Sequence, residues 1–321
     1  MNNQEHIIEE SKEIVSKIKN KLVEAPPTHP QVKYEYDLDA WPEQYNYKIA
    51  LIPMNLNFYR DFIEVNETKL GIELSMVKLL ENRSEEIKDK IIRYSEYAIK
   101  HIGAKLVIFN EYSYPILKNE ELCNSLSAIC RENDACIIAG SFHITDENIG
   151  LPYGHNACPI FLPSGQFHQF KRSSGKFKDK WERIIGPSLW ELYIFYSRFG
   201  TFSIPICIDI RDRNLVDLLS MLNRKGSLYH PIDFLIVPSF SSNDKIMHQS
   251  IISVSLVSNL CIIYLNNFAN ADSPAVFLSG KRQSGVYSDD PDNPRIYLYN
   301  IDLIKIRRER LLAEKTDIFS A

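Results

Sequence analysis

From Tyr47 to about Arg310 short apolar runs alternate with segments whose apolar residues recur at helical spacing. The clearest runs are Tyr47–Pro53, Ala104–Phe109, Cys136–Ala139, Asn156–Phe161, Phe199–Cys207, Asp233–Val237, Cys261–Leu265 and Tyr297–Asp302. An apolar run bounded by turn residues reads as a strand buried in a sheet, and the helical segments between runs cover it, so the pattern predicts an α/β fold of stacked sheets under helices. A long helix is expected from Asn66 to about His101. Phe161–Lys171 reads as a strand, a Pro/Ser/Gly turn and a second strand that ends on Lys171. Ahead of this body, Ile7, Ile8, Ile14, Val15, Ile18, Leu22 and Val23 recur at helical spacing, and Pro26, Pro27 and Pro30 close that helix. Its apolar stripe needs a partner surface, either its own domain or another subunit. Val32 to Asn46, rich in Tyr and Asp, reads as a linker or arm.

Three of the apolar runs end on residues that carry chemistry. Phe199-Gly-Thr-Phe-Ser-Ile-Pro-Ile-Cys207-Ile-Asp209-Ile-Arg211 sets a thiol where an apolar strand gives way to a charged turn, next to backbone N–H groups available to an oxyanion. Ala104–Phe109 leads through Asn110 to Glu111, and the hairpin ends on Lys171. Each has an ordinary reading when taken alone: a core thiol, a solvated carboxylate, a surface cation.

Together, in this order, they resemble the carbon–nitrogen hydrolase (nitrilase) superfamily, in which a Glu after an apolar strand, a Lys after a hairpin and a Cys in a Gly-x-x-Ile-Cys-x-Asp-x-Arg pattern form the catalytic core. The likeness extends along most of the chain: Tyr47–Pro53 resembles the family's first strand, Cys136–Ser141 and Asn156–Phe161 the strands around the Lys hairpin, and Asp233–Ser239, Cys261–Asn267 and Tyr297–Arg307 the strands that follow the nucleophile. The resemblance implies a four-layer α-β-β-α sandwich over residues 47–310, preceded by an arm over 1–46 and followed by a tail over 311–321. It implies Glu111 as base, Lys171 and the backbone N–H of Ile208 as oxyanion donors, Cys207 as nucleophile, and Glu182 as a second carboxylate that positions Lys171 or a water. The sequence departs from the family pattern in three places. Asn110 precedes Glu111 where the family has Pro, Asp212-Arg213-Asn214 replaces Phe-Pro-Glu, and Lys171-Arg-Ser-Ser-Gly-Lys176-Phe-Lys178 replaces Arg-Lys-x-His-Leu. The last leaves Lys176 as an alternative to Lys171, though a Lys that follows Gly is less well held. For Glu182, a surface pair with Arg183 or Lys178 stands beside the catalytic role.

The chemistry these residue types allow is coherent. A free thiol titrates near about 8.5, so a neighbouring base must take its proton before it attacks an amide or nitrile carbon. The alternatives are an acyltransferase that uses the same Cys, or a non-catalytic scaffold that keeps the fold.

Bulk properties narrow the class further. The 321 residues are 45% apolar and 24% charged, enough to bury a large core, and the net charge of −4 gives no general attraction to nucleic acid or to a membrane surface. No apolar run approaches the roughly 18 residues of a membrane span, and the polar, acidic start is unlike a signal peptide, so a cytoplasmic enzyme is expected. The six cysteines lack metal-ligand spacing, and no glycine-rich phosphate loop appears, so neither a metal nor a nucleotide cofactor is expected. Cys123, Cys130, Cys136, Cys158 and Cys261 read as core thiols. The basic run Lys305 to Arg310 reads as a solvated helix face, His155 and His168 as flanking the Lys hairpin, and Lys281 and Arg282 as loop cations. The expected partners are a small-molecule amide or nitrile and further copies of the chain, as a homodimer or larger homo-oligomer.

Overall fold

The computed structural model describes residues 31–36, 45–69, 72–145, 154–177, 180–182, 184, 191–223, 232–242, 244–267, 273–288 and 295–318. The N-terminal helix expected over residues 7–23 lies outside the described residues; of the tail expected over 311–321, residues 311–318 continue the last helix and the rest lies outside the described residues.

Two mixed sheets stack face to face. One runs β18 (Val286–Tyr287), β19 (Tyr297–Asp302), β2 (Asn46–Ile52), β5 (Ala104–Phe109), β6 (Cys136–Ile138), β8 (Asn156–Leu162) and β7 (Phe142–His143), with β9 (Gly165–Phe170) folded back on β8. The other runs β1 (Gln31–Tyr36), β12 (Glu191–Ser197), β13 (Gly200–Ser203), β14 (Phe234–Pro238), β15 (Cys261–Leu265), β16 (Ala275–Leu278) and β17 (Lys281–Arg282). The apolar runs are strands because both faces of each are covered. In β2, Ile49 and Leu51 enter the core between the sheets while Ala50 and Ile52 enter a second core under the helices. The same alternation places Leu106 and Ile108 of β5 inward and Val107 and Phe109 outward. Helices α2 (Glu81–Glu96) and α3 (Asn119–Asn133) cover the first sheet, and α4 (Arg213–Leu222) and α5 (Asp244–Ser258) cover the second. The result is the expected four-layer α-β-β-α sandwich.

Three expectations are corrected. The segment from Asn66 to His101 is helical only from Glu81. Phe62–Lys69 (β3) and Ile72–Leu79 (β4) form an antiparallel hairpin, preceded by a single turn, α1 (Phe58–Asp61). Glu, Leu, Met and Lys favour helices, but Ile72, Leu74 and Met76 alternate with Glu73, Ser75 and Val77 at the period of a strand. The hairpin pairs with β11 (Lys180–Glu182), which pairs in turn with β10 (Lys176–Phe177), making a small sheet beside the sandwich. Within the supposed linker, β1 runs parallel to β12; Val32, Tyr34 and Tyr36 alternate with Lys33 and Glu35 as a strand requires. The basic run of the last helix, α6 (Leu303–Ile318), is not wholly a solvated face. Arg307 and Arg310 reach Asp233, which is buried at the start of β14.

β2, β5 and β6 are parallel, as are β13, β14 and β15, so the chain leaves β5, β13 and β14 at one end of the sandwich. That end is where an open α/β sheet offers a ligand crevice.

Candidate active site

Glu111, Lys171, Glu182 and Cys207 come together at that end and line one cleft of about 560 Å³ with Phe58, Tyr112, Ile208, Phe240 and Met247. Glu111 is the second residue after β5 and Cys207 the fourth after β13, so the thiol does not sit on the strand end itself. Ile204–Ile206 carry the chain to a 3₁₀ turn, Cys207–Arg211, that opens on the cysteine. Cys207 has φ of +49° and Tyr112 of +62°, left-handed values that a side chain adopts at a cost of about 1–3 kcal/mol and that recur at functional sites. Gly140, at φ +82°, faces the Glu111 turn so closely that a Cβ there would lie 2.3 Å from the Asn110 carbonyl oxygen, so only glycine lets the two turns meet. Asn110 anchors the same turn: its Oδ1 accepts from Met54 N at 2.8 Å and its Nδ2 donates to the Glu111 carbonyl at 2.8 Å.

Lys171 follows β9 and is clamped between two carboxylates, donating to Glu111 Oε1 and to Glu182 Oε2, each at 2.7 Å. Glu111 is 1% exposed, Lys171 2% and Glu182 1%, so none is a surface charge. Glu182 therefore pairs with Lys171; Lys176, the alternative, lies in β10, where its backbone pairs with Trp181. Both carboxylates accept further hydrogen bonds. Glu111 also accepts from Asn156 Nδ2 at 3.1 Å and from Phe240 N at 2.9 Å. Glu182 accepts from Tyr112 Oη at 2.5 Å, His143 Nε2 at 3.0 Å, Asn156 Nδ2 at 3.1 Å and Gly175 N at 2.9 Å.

These contacts set the charges. Burial alone would push the Lys171 ammonium down, but the Glu111 and Glu182 carboxylates outweigh it and hold Lys171 well above the ordinary lysine range. Burial would raise Glu182, but Lys171 and the His143 hydrogen bond hold it well below the ordinary carboxylate range. The Cys207 thiol is pushed up to about 12, first by burial and then by the Glu111 carboxylate, with Lys171 opposing. Asp209 is pushed up to about 7 by burial, against Lys171 and the backbone N–H groups it accepts from: Ser173 at 2.7 Å, Arg172 at 3.1 Å and Ile206 at 3.3 Å. Asp209 thereby staples the turn after Lys171 to the turn that carries Cys207.

Tyr112, His143, Asn156 and Asp209 were not singled out as site residues from the sequence. Asp209 stood in the Cys-x-Asp-x-Arg pattern and Asn156 opened a strand, but nothing local marked His143. His155 is buried beside Phe170 and His168 is partly buried on β9; burial lowers both imidazoles below their ordinary range. Neither His155 nor His168 lines the cleft. Cys130, Cys136, Cys158 and Cys261 are buried core thiols as expected, whereas Cys123 is partly exposed beside Tyr114 and Asn119.

No family model matches this sequence, and no curated protein matches it. Solved structures match its fold. Nit3 of Saccharomyces cerevisiae, a member of branch 10 of the nitrilase superfamily, superposes with a TM-score of 0.57 at 16% identity over 84% of this chain and 95% of its own. The chain has the carbon–nitrogen hydrolase fold. A carbon–nitrogen hydrolase from Helicobacter pylori G27 gives 0.54 at 15% identity over 84% of this chain and 93% of its own. A mutant amidase from Nesterenkonia sp. AN1, which carries the acetamide moiety of fluoroacetamide covalently at its active-site cysteine, gives 0.54 at 10% identity over 84% and 96%. At these identities the likeness carries the carbon–nitrogen hydrolase architecture and leaves the reaction to be argued from the site. Among the described residues no helix is long and apolar enough to cross a membrane.

Proposed function

We propose that the chain is a cysteine-dependent hydrolase of non-peptide carbon–nitrogen bonds, amidase-like, working through a thioester. The observation that carries this reading is a cysteine held at positive φ in a cleft beside a lysine clamped by two buried carboxylates. Glu111 lines the same cleft as the thiol and takes its proton as Sγ attacks the amide carbon. The negative charge that develops on the amide oxygen meets the Lys171 ammonium and the backbone N–H of Ile208. Collapse of this adduct breaks the C–N bond, and the proton on Glu111 goes to the leaving amine. A water, deprotonated by the same carboxylate, then attacks the thioester; the C–S bond breaks, the acid leaves, and the proton on Glu111 returns to the Cys207 sulfur. Glu182, kept ionised by its donors, holds Lys171 in place and moves no proton. The five donors on Glu182 favour this role over that of a second base.

The test is covalent. Fluoroacetamide should add a single acetamide moiety to Cys207, located by peptide mass spectrometry, and a panel of small amides should release ammonia or amine. Cys207→Ala should lose both while keeping its melting temperature. No adduct on Cys207, or amine release that survives Cys207→Ala, would overturn the reading.

A further inference from the structure

His143 stands between the β3–β4 hairpin and the clamp on Lys171. It is buried at the end of β7, opposite Asn156 of β8, the residue whose Nδ2 bridges Glu111 and Glu182. Its two ring nitrogens face different partners: Nδ1 lies 2.8 Å from the backbone N of Val77, and Nε2 lies 3.0 Å from Glu182 Oε1. A backbone N–H only donates, so Nδ1 must present its lone pair, and this excludes both the Nδ1–H tautomer and the imidazolium. The remaining proton is on Nε2 and points at Glu182. The opposite tautomer would set a nitrogen lone pair against a carboxylate oxygen at the same distance, a repulsive contact in a buried setting.

Val77 is free to make this bond because of the fold of its segment. It lies two residues past Ser75, where the pairing of β4 with β11 ends, and its amide meets His143 instead of another strand. Inside a continuous helix over Asn66–His101 that amide would be spent on the carbonyl four residues back. The hairpin thus acts on Glu182 twice, through the β4–β11 pairing and through His143.

We propose that His143 is a positioning residue of the Glu111–Lys171–Cys207 site. It supplies Glu182 with a neutral N–H donor whose tautomer Val77 fixes, and so holds the carboxylate that aims Lys171. This rests on the catalytic reading of that site. His143 Nε2, Tyr112 Oη and Asn156 Nδ2 converge on Glu182 Oε1, which turns Oε2 toward Lys171 and Gly175. Without the histidine donor the carboxylate can rotate, and Lys171 loses the alignment that favours the Cys207 thiolate.

The full-length protein tests this in two ways. Long-range ¹H–¹⁵N spectra of histidine-labelled protein at neutral pH should show His143 as the Nε2–H tautomer. Alkylation of Cys207 by iodoacetamide should then be compared in His143→Gln, whose amide nitrogen falls near Nε2, and His143→Asn, whose amide falls near Nδ1 and cannot reach Glu182. Loss of a hydrogen bond to a charged group predicts labelling slowed about tenfold or more in His143→Asn, with most of that loss recovered in His143→Gln. An Nδ1–H tautomer or an imidazolium would overturn the proposal, as would equal labelling rates in the two variants; the spectrum decides on the wild-type chain even where a variant fails to fold. If Cys207 of the wild type is not labelled ahead of the other cysteines, the catalytic reading falls and takes this proposal with it, whereas normal wild-type labelling with indistinguishable variants removes the role of His143 alone.

Discussion

At the scale of the residue, the Cys207 thiol begins at a disadvantage, raised to about 12 by burial and by Glu111, so at neutral pH almost none of it is free thiolate. The carboxylate that raises it is also its proton acceptor in the proposed reaction. Glu111→Gln therefore has opposed effects: removing the negative charge lowers the thiol, and removing the base ends proton transfer during attack. We expect the loss of the base to dominate at neutral pH, with labelling of Cys207 strongly slowed. Because only preformed thiolate then reacts, the rate should climb about tenfold per pH unit up to the lowered thiol value, more steeply than in the wild type. Rates measured across the alkaline range check this, and a wild-type rate and profile in Glu111→Gln would remove Glu111 from the role of base. The lysine assignment is tested through stability as well as turnover. Lys171→Ala leaves two buried carboxylates facing each other, which should cost about 3–5 kcal/mol in denaturant unfolding and, as the loss of an oxyanion donor, on the order of 100-fold or more in turnover. Lys176→Ala should change either quantity little.

At the scale of the element, the site is built from turns that side chains hold against one another. Asp209 ties the turn after β9 to the 3₁₀ turn of Cys207, and Asn110 ties the end of β5 to the segment after β2. Asp209 also makes a prediction with a definite sign. Its carboxyl is raised from an ordinary 3.8 to about 7 in the folded chain, so between these values the unfolded chain has released the proton that the folded chain keeps. Its contribution is therefore fully favourable below the lower value and declines as pH rises toward about 7. Measured as melting temperature, the wild type should lose ground to Asp209→Asn as pH rises through this window; a constant difference would show that Asp209 does not titrate there. The hairpin of β3 and β4 is the element that most changes the picture, since it holds β11, and with it Glu182, by pairing Ser75 with Glu182.

At the scale of the whole molecule, α4 and α5 leave an apolar outer face. Val216, Ile246 and Val257 line one groove, with Val257 66% and Ile246 40% exposed, and Met221 and Leu256 are also exposed. Apolar side chains grouped in this way mark association surfaces in proteins that are otherwise polar outside. We expect the chain to form a homodimer or larger homo-oligomer through this face at micromolar concentration, and Val257→Asp to weaken it. Light scattering that gives the monomer mass for the wild type would refute the expectation.

What the sequence determined by itself is what depends on local pattern and order. The apolar runs become strands because each is covered on both faces, and Glu111, Lys171 and Cys207 were legible because the strand ends that carry them fall in a family's order. Choices made by contacts distant in sequence could not be read this way. The β3–β4 hairpin was hidden by good helix formers, and its strands are held by pairing with each other and with β11. Arg307 and Arg310 looked solvated until β14 placed Asp233 under them. That Lys171 and Glu182 are buried and paired with each other, where each also had a surface reading, depends on which strands stack. His143 carried no signal at all, because its role is set by a backbone amide 66 residues away and a carboxylate 39 residues away that only the fold brings to its two nitrogens.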